Sequence, residues 1–486
     1  MNKLVTKIIS LIMAIMCIGL LFACDKEVQE GKEPTKKPGT SKVDRNLRLP
    51  FSQEDTLNPY VAKSQINQNL TPLIYSSLFV MDNSHEPQPQ VAHSGTVMGL
   101  EVSVNLNSDK KFADGSYITA QDVVFSFNLA KQSVYYSQSV INIASAKARG
   151  SQQVEFTLVT FDAFALSCLD FPIVKSGTAV DGTNPAPVAS GKYTFNIDGA
   201  EKYLEVNKHN RGFSSKSPKI ELVNITDSAA IIHSLVIGNI DSLFCNLSGG
   251  KYERINAGTR EVLMNNFVFL GINPNNPRLA DPALRQAISA VIDREKIINE
   301  GLQGFAEAAY TPFNPKWYAL GSVKQPGKDI DTLNASKYIQ TNAKRLSLRL
   351  VVNSENELKK LAGKAISECL GSAGISVNVV ELPFDAFNAT VASGGYDLYL
   401  GEMKLTDNMN IYPLINPSNS SYAFYLQLLE GTITMQNFID NFYSELPFIP
   451  ICYKKGVLAF SRHIAVEVKS NENDVYANIG EWYLNN

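Results

Sequence analysis

A strand–helix–strand pattern between residues 346 and 379 constrains the fold of this chain more than any other feature. Apolar residues occupy every second position from 346 to 352, and again from 375 to 379, as they do in strands with a buried face. Between these stretches, apolar residues recur at helical spacing: Leu358, Leu361, Ala362, Ala365, Ile366, Cys369 and Leu370. Such a unit normally makes two parallel strands with a right-handed crossover, so the sequence predicts a mixed α/β fold.

Two further local patterns support the α/β class. Residues 267–273 form an apolar strand pattern, and Asp281, followed by proline, is a strong signal for the start of a helix. Earlier in the chain, the stretch 102–107 alternates as an amphipathic strand and an Asp-Gly turn follows it. Thr119 should then cap a helix, with Asp122 at the third helical position as a capping-box variant.

The amino terminus has the pattern of a bacterial export signal. Two lysines precede an apolar run, 8–22, whose about 15 residues fall short of the roughly 20 that a membrane-spanning helix needs. The run is followed by Ala-Cys, and Leu-Phe-Ala-Cys resembles the lipobox of bacterial lipoproteins. The resemblance implies that residues 1–23 are a signal peptide cleaved before Cys24, and that Cys24 carries diacylglycerol. The alternative is an ordinary signal peptide followed by a buried cysteine.

Residues 24–45 are predicted to be a lipidated, flexible tether. The stretch is charged and rich in proline and glycine, with almost no large apolar side chain, so it cannot bury enough apolar surface to fold. A flexible chain of about 20 residues spans roughly 25 Å on average. We therefore expect the lipid at Cys24 and this tether to hold the folded body at the extracytoplasmic face of the cell membrane.

Composition and motifs argue against several other classes of function. The chain carries 44 lysines and arginines against 47 acidic residues, without the basic clusters of a nucleic-acid-binding protein. Its five histidines show no metal-ligand spacing, and no G-x-S-x-G nucleophile motif occurs. We therefore predict a protein without catalytic activity, metal or cofactor, and without a nucleic-acid partner. The later cysteines are widely separated, which favours free thiols over disulfides: Cys168, Cys245, Cys369 and Cys452.

Residues 112–127, FADGSYITAQDVVFSF, carry a more specific signal. They match almost completely the signature F-x-D-G-x-x-x-T-A-x-D-V-x-F-S of the family 5 extracellular solute-binding proteins, the peptide- and nickel-binding group. Further landmarks similar to those of that family occur in the expected order, at 55–59, 74–92, 187–193, 238–241, 284–294 and 447–453. The chain therefore resembles this family over residues 46–486.

The resemblance implies a two-lobed clamp of the periplasmic-binding-protein type (type II) with an extra inserted domain. Lobe I would be discontinuous, the inserted domain II would interrupt it, and lobe III would follow: 46–77 with 171–265 and 456–486 for lobe I, 78–170 for domain II, and 266–455 for lobe III. Members of the family close their lobes around a solute and deliver it to a membrane permease driven by an ATPase. Lobe closure requires only that the solute bind the closed form better than the open one.

The resemblance also directs attention to residues 395–410. In the peptide binders of the family, this segment supplies an aromatic wall and an aspartate that pairs with the amino terminus of the ligand. Here Glu402 occupies the position of a tryptophan, Leu405 stands where the aspartate is expected without a gap, and Asp407 takes that position only after a two-residue insertion. We predict Glu402 first and Asp407 second as the ligand carboxylate, the alternative for each being a solvated loop acid.

Three tyrosines are candidate wall residues: Tyr75, Tyr399 and Tyr412. Core packing is the alternative for each of them. The expected ligand is an oligopeptide or another small amine-bearing solute, and the expected partners are the permease and ATPase subunits of an ABC importer. We expect a monomer. A ligand-sensing surface lipoprotein with the same clamp but no dedicated transporter is the alternative function, and both functions need the same fold.

Overall fold

The computed structural model describes residues 45–179, 185–225, 230–246, 255–328 and 331–485. Cys24, the predicted signal peptide and nearly all of the predicted tether lie outside the described residues. Within those ranges, each helix is too short or too polar to cross a lipid bilayer.

The largest sheet has seven strands. Six lie side by side in the order Ser242–Cys245, Phe448–Phe460, Gly258–Ile272, Leu398–Lys404, Ser347–Asn353 and Ser376–Leu382, and Ala306–Ala308 pairs with the second of them. Ser347–Asn353 runs parallel to both of its neighbours, so the parallel pair predicted from the strand–helix–strand pattern is confirmed. The remaining pairs in this sheet are antiparallel.

Helix Glu357–Ser372 makes the crossover between those two parallel strands. Its buried face contains most of the predicted stripe, but Leu361 is 42% exposed, so its predicted burial is wrong. The reason is the close packing of Gly363, where a Cβ atom would lie 2.8 Å from Cγ1 of Val352. The helix turns the side that carries Ala362 and Gly363 towards its neighbours, and Leu361 is rotated to the solvent edge.

Two long antiparallel strands, Gly258–Ile272 and Phe448–Phe460, run through the largest sheet side by side. Their register shifts between Leu263 and Phe267, and again between Val268 and Phe269. The predicted boundaries between lobes I and III, at 265/266 and 455/456, fall inside these strands, close to the first shift. The boundaries themselves stay a prediction.

Three smaller sheets are formed by other parts of the chain. One contains Leu47–Phe51, Lys219–Asn224, Glu201–Val206 and Tyr193–Asp198, in that order, and another contains Ala92–Met98, Glu101–Leu106, Gln153–Leu158 and Ile143–Arg149. The third is the hairpin of Phe79–Met81 with Pro87–Pro89. Val102, Val104 and Leu106 are buried, which confirms the predicted alternation.

The helices begin largely where the sequence signals predict. The capping box is confirmed at Ala120–Ala130, where the Thr119 backbone N–H donates to Oδ2 of Asp122 over 2.8 Å. Asp281 caps the next predicted helix by accepting from the Ala283 N–H. The α-helices are Gln65–Gln68, Thr71–Ile74, Ala120–Ala130, Ala230–Val236, Pro282–Val291, Arg294–Lys296, Thr332–Asn342, Glu357–Ser372, Phe384–Ala392, Ser420–Leu429 and Met435–Glu445. Shorter turns are Ala165–Cys168, Pro277–Leu279, Tyr318–Leu320, Tyr412–Leu414 and Ile479–Glu481, which are 3₁₀-helical, and Ile297–Gly301, which is π-helical.

Two large hydrophobic cores organise these elements. Core A joins the amino-terminal strands, the predicted inserted domain and the carboxyl-terminal segment, and it buries Trp482. Core B is built from residues between Leu263 and Tyr453, within and beside the predicted lobe III, and it buries Trp317. Cys168, Cys369 and Cys452 are buried as free thiols, and Cys245 is a half-buried free thiol.

Candidate functional site

A cavity of about 410 Å³, named the central cavity below, lies beside the loop that contains residues 471–474. Its walls include the aromatic rings of Tyr75, Phe79 and Tyr136. Asp170 and Glu472 add carboxyl groups to the wall. A concave cavity that combines apolar side chains with convergent polar groups is the usual form of a small-ligand site.

Asp170 occupies an unfavourable position in this wall. It follows the buried residues Cys168 and Leu169, and Phe171 after it is also buried. Its Oδ1 atom is inaccessible to solvent and has no hydrogen-bond partner among the described residues. Burial, followed by the charge of Asp407, raises the pKa of Asp170 to about 8. At neutral pH the carboxyl group therefore keeps its proton unless a cation comes close.

Asp407 lies at a junction of distant segments. Its Oδ1 accepts a hydrogen bond from Nδ2 of Asn265 over 3.0 Å, and its Oδ2 accepts one from Nδ2 of Asn473 over 3.0 Å. Nδ1 of His85 is 3.3 Å from Oδ1 of Asp407, and Asn314 Nδ2 is 3.3 Å from Nε2 of the same ring. This arrangement fits the tautomer in which His85 donates from Nδ1 and accepts at Nε2.

A tight turn presents the His85 ring to the junction. Oδ1 of Asp82 accepts hydrogen bonds from the backbone N–H groups of Ser84 and Glu86, over 2.8 and 3.1 Å. His85 itself has a φ of 58°, in the left-handed region that non-glycine residues adopt rarely. The turn therefore holds His85 in one backbone conformation, with its ring against Asp407.

One ammonium group faces the acids at the junction. Nζ of Lys404 is 2.9 Å from Oε1 of Glu472, and the Lys404 side chain is 65% exposed whereas that of Glu472 is 5% exposed. The charge of Glu472 is the largest cause of a raised pKa of Lys404, and the charges of Asp407 and Asp170 add to it. Asp170, Asp407 and Glu472 are named the carboxylate cluster below.

The carboxylate cluster is suited to bind a second cation. Its three acids lie near the ammonium group of Lys404. The positive charge of a ligand ammonium group near the cluster would favour the ionised form of Asp170. The arrangement is a binding site for an amine rather than a site with an evident nucleophile.

Glu402, the first predicted ligand carboxylate, lies on the strand Leu398–Lys404. Its Oε2 is 3.1 Å from Nζ of Lys359, its Oε1 is 3.2 Å from Nζ of Lys454, and Asn266 donates to Oε1 over 3.0 Å. Burial alone would raise the pKa of Glu402. The charges of Lys359 and Lys454 together outweigh this effect, so the pKa of Glu402 lies below its ordinary value. Glu402 does not line the central cavity.

We expect Glu402→Gln to lower the free energy of unfolding by about 1–3 kcal/mol at pH 7, because two largely buried ammonium groups lose their counter-ion. Urea denaturation followed by circular dichroism measures the change. Glu300→Gln is the matched control: Glu300 is 60% exposed and pairs with Lys296 only at 4.0 Å, so the change should stay within about 0.5 kcal/mol. Unchanged stability with a tenfold loss of solute affinity would instead make Glu402 a ligand residue.

The three predicted tyrosines lie in different places. Tyr75 lines the central cavity and is buried. Tyr399 packs in an aromatic cluster, with its ring centroid 5.7 Å from that of Phe269 and 5.0 Å from that of Tyr396. Tyr412 lines a separate cavity. Of the five predicted site residues with described positions, Asp407 and Tyr75 are the two at or beside the central cavity.

Several residues of the junction were not predicted as site residues from the sequence: Asp170, His85, Lys404, Glu472, Asn265, Asn314 and Asn473. A signal existed for two of them, because Asp170 interrupts an apolar stretch around 165–174 and Asn265 interrupts one at 262–270. Polar residues in such positions are buried and need a partner. The other residues belong to polar loops or strand ends that resemble many others in the chain. Across the described ranges, no group of three or more histidine, cysteine or acidic residues is arranged to hold a metal ion.

Comparison with known proteins gives a family match and several relatives. The model of the bacterial extracellular solute-binding proteins, family 5 Middle, matches residues 86–424. The oligopeptide-binding protein AppA of Bacillus subtilis is 23% identical over 397 residues, which cover 74% of this chain and 73% of AppA.

Solved structures show the same architecture. The periplasmic murein tripeptide-binding protein MppA, in its unliganded open form, superposes with a TM-score of 0.73 at 15% identity, over 92% of this chain and 99% of MppA. NikZ of Campylobacter jejuni, in complex with Ni(L-His), gives a TM-score of 0.61 at 20% identity, over 90% of this chain and 99% of NikZ. These likenesses confirm the fold class predicted from the sequence, a two-lobed α/β clamp with an inserted domain.

Proposed function

Because this chain belongs to the bacterial extracellular solute-binding proteins of family 5, we propose that it captures a peptide or a similarly sized amine-bearing solute by lobe closure, and delivers the solute to an ABC importer. The permease and ATPase subunits of that importer would be its partners. We also propose that Cys24 is lipidated and anchors the protein as a monomer at the extracytoplasmic face of the membrane. This function needs no cofactor and no catalytic step.

One observation carries the choice of an amine as the recognised group. The carboxyl group of Asp170 lies in the cavity wall next to a second carboxyl group, that of Asp407, and burial together with that charge raises its pKa. Two neighbouring carboxyl groups resist ionising together. A solute ammonium group that binds beside them offsets this repulsion, so the repulsion becomes part of the binding selectivity.

The remaining walls fit the rest of such a solute. Tyr136, half-buried in the cavity wall, offers ring surface for an apolar side chain. Lys192, which also lines the cavity, is paired with Asp474 at 2.7 Å. Its charge is therefore balanced within the protein, and the unmet requirement of the cavity is for positive charge.

We expect the protein to capture peptides through their free amino groups. In the test, the protein is incubated with a tryptic digest of casein, or with the same digest after acetylation of its amines, and the bound peptides are identified by native mass spectrometry. Capture from the acetylated digest should be at least about tenfold lower, because the charge-assisted hydrogen bond is worth roughly 1.5–3 kcal/mol.

Asp170→Asn should reduce capture from the untreated digest by a similar factor, whereas the exposed-site control Asp109→Asn should not change it. Equal capture from both digests would mean that the protein does not recognise the free amino group of the peptide. Retention of a sugar or a metal chelate from the expression host, with no peptide bound from either digest, would contradict the proposed solute class.

A further inference from the structure

The two neighbouring carboxyl groups of the carboxylate cluster, those of Asp170 and Asp407, have unequal hydrogen-bond partners. Three side chains donate to the oxygens of Asp407, over 3.0, 3.0 and 3.3 Å: Asn265, Asn473 and His85. Hydrogen bonds of this kind favour the charged form of a carboxyl group. Asp407 is therefore the ionised member of the pair.

Asp170 is in the opposite situation. The hydrogen bond between its side chain and that of Asp407 favours the protonated form of Asp170. Burial and the charge of Asp407 act in the same direction, and they outweigh the opposing effects of its own backbone N–H and of Lys404. Because two adjacent carboxyl groups resist ionising together, the proton of the pair resides on Asp170. The pKa of Asp170, raised to about 8, agrees with this assignment.

The backbone holds Asp170 in its place in the cavity wall. The Ser77 hydroxyl donates to the carbonyl of Asp170 over 2.6 Å, and the Phe79 N–H donates to the carbonyl of Leu169 over 3.3 Å. The side chains of Leu169 and Phe171, on either side of Asp170, are fully buried. A carboxyl group that is held in this way responds to the charge of a ligand by losing its proton rather than by turning away.

The other charged groups in the wall of the central cavity are paired within the protein. Glu472 lies 2.9 Å from Nζ of Lys404, and its Oε2 accepts the Asn265 N–H over 2.6 Å. Asp474 lies 2.7 Å from Nζ of Lys192. These pairs can keep their charges when a solute enters, so the proton of Asp170 is the group that is free to change.

The remaining ionisable groups near Asp170 are a histidine and three groups that keep their protons because burial raises their pKa: Tyr60, Tyr136 and Cys168. The histidine is His85, which contacts Asp407 and accepts from Nδ2 of Asn314 at Nε2 over 3.3 Å. Histidine is the residue type that ordinarily changes its charge between pH 5 and 8. A test of proton release must therefore distinguish His85 from Asp170.

We propose that the central cavity captures its solute by exchanging the proton of Asp170 for the ammonium group of the solute. This exchange rests on the proposed function, since it needs an amine to enter the cavity. The O–H bond of the Asp170 carboxyl group breaks, its proton passes to water, and the ammonium group keeps all of its own protons. The cluster loses one positive charge and gains another, so capture buries no additional net charge.

Proton exchange makes the strength of capture depend on pH. The charge of the ammonium group favours ionised Asp170, so the complex loses the Asp170 proton at a lower pH than the empty protein, which loses it near pH 8. Between these two values, capture should strengthen by up to about tenfold for each pH unit as the pH rises. Peptide α-amino groups ordinarily lose their own protons at about pH 7.7–8.0, which ends the gain. Acidification should therefore release the solute.

A pH-stat measures the exchanged proton directly. The protein, without buffer at pH 6.5, is mixed with the tryptic digest of casein adjusted to the same pH, and native mass spectrometry of the same sample gives the number of bound peptides. We expect about 0.5–1 proton released for each bound peptide, because peptide amines are already protonated at this pH. The acetylated digest should release none. Capture by wild type should be several times weaker at pH 5.5 than at pH 6.5.

Asp170→Asn identifies the source of the proton. At a digest concentration high enough for this variant to bind peptide, its proton release should be close to zero, whereas the exposed-site control Asp109→Asn should release as many protons as wild type. Release from peptide-bound Asp170→Asn would assign the proton to another group, such as His85, and would overturn the proposal.

The wild-type protein alone decides the matter if Asp170→Asn does not fold. Bound peptide without proton release, or equal capture at pH 5.5 and pH 6.5, would overturn proton exchange and leave the proposed capture of peptides intact. Absence of bound peptide from both digests would instead contradict the proposed function, and proton exchange with it.

Discussion

At pH 8 and without solute, Asp170→Asn should raise the free energy of unfolding by about 2–4 kcal/mol. The folded protein holds the Asp170 proton up to a pKa of about 8, against an ordinary value of 3.8. At pH 8 the unfolded chain has lost that proton, whereas the folded chain must either keep it or bury a second negative charge beside Asp407. Asparagine has the same shape and avoids this penalty.

The sign of the pH dependence follows from proton counting. Between about pH 4 and pH 8 the folded wild-type protein binds more protons at Asp170 than the unfolded chain does, so its stability falls as pH rises through this window. The difference between Asp170→Asn and wild type should therefore be small near pH 4.5 and largest at pH 8. Urea denaturation at both pH values, with each protein freed of bound solute by unfolding and refolding, measures it.

The exposed Asp109 provides the control, since Asp109→Asn should show the same stability as wild type at both pH values, within about 0.5 kcal/mol. A stability difference for Asp170→Asn that does not depend on pH would contradict the role assigned to its ionisation. A loss of stability at pH 8 would contradict it as well, because it would mean that the ionised carboxylate has a favourable partner in the empty protein.

The same substitution is expected to stabilise the empty protein and to weaken capture of amines. This opposition is the expected mark of a binding residue, because a group placed for a ligand is poorly satisfied when the ligand is absent. A residue with only a structural role would lose stability on substitution. Measuring both quantities on Asp170→Asn therefore separates a binding role from a structural one.

The second large effect is expected at Arg294, where substitution by methionine should lower the free energy of unfolding by about 3–5 kcal/mol. The Arg294 guanidinium is buried and donates to three backbone carbonyls over 2.8–3.1 Å, those of Ala309, Pro450 and Ser289. Burial lowers its pKa to about 10, so it remains charged at neutral pH. Methionine fills part of the space but leaves these carbonyls without a donor.

The two tryptophans make the measurement specific, because Trp317 is buried in core B and Trp482 in core A. In a Trp482→Phe background, Trp317 fluorescence should report the Arg294→Met transition at lower urea than in the parent. Arg349→Met, at an exposed position on the strand Ser347–Asn353, should shift the transition by no more than about 0.5 kcal/mol. Equal stability of Arg294→Met and the parent would mean that the carbonyls find other donors, and it would contradict the stabilising role assigned to the Arg294 guanidinium.

Local patterns predicted much of the fold correctly. The parallel strands around helix Glu357–Ser372 and the cap at Thr119 depend on residues close together in sequence, where periodicity and capping chemistry act directly. Leu361 was misplaced because the rotation of its helix depends on how close Gly363 comes to Val352. That distance is set by tertiary packing, and the helical spacing of apolar residues in the sequence gives no information about it.

The site was predictable only in part, for a related reason. Asp407 could be singled out from its own neighbourhood in the sequence, whereas its partners His85, Asn265 and Asn473 come from three other segments. Which side chains contact Asp407 depends on how those segments pack against one another in the folded protein. Glu402 was predicted as the ligand carboxylate, with a solvated loop acid as the alternative; it lies on the strand Leu398–Lys404, where its side chain contacts Lys359 and Lys454 and does not line the central cavity.

The composition of core A also bears on how the chain reaches its native state. Leu47 and Leu49, at the start of the described chain, share this core with Tyr476 and Trp482, near its end. Trp482 is fixed there by its carbonyl, which accepts a hydrogen bond from the Ser217 hydroxyl over 2.9 Å. Because both ends of the described chain contribute to one core, core A cannot close until the residues around 476–482 pack on the early strands, whose apolar faces stay uncovered until then. Core B is built from residues 263–453, so removal of the segment from residue 476 onward would uncover core A and leave core B covered.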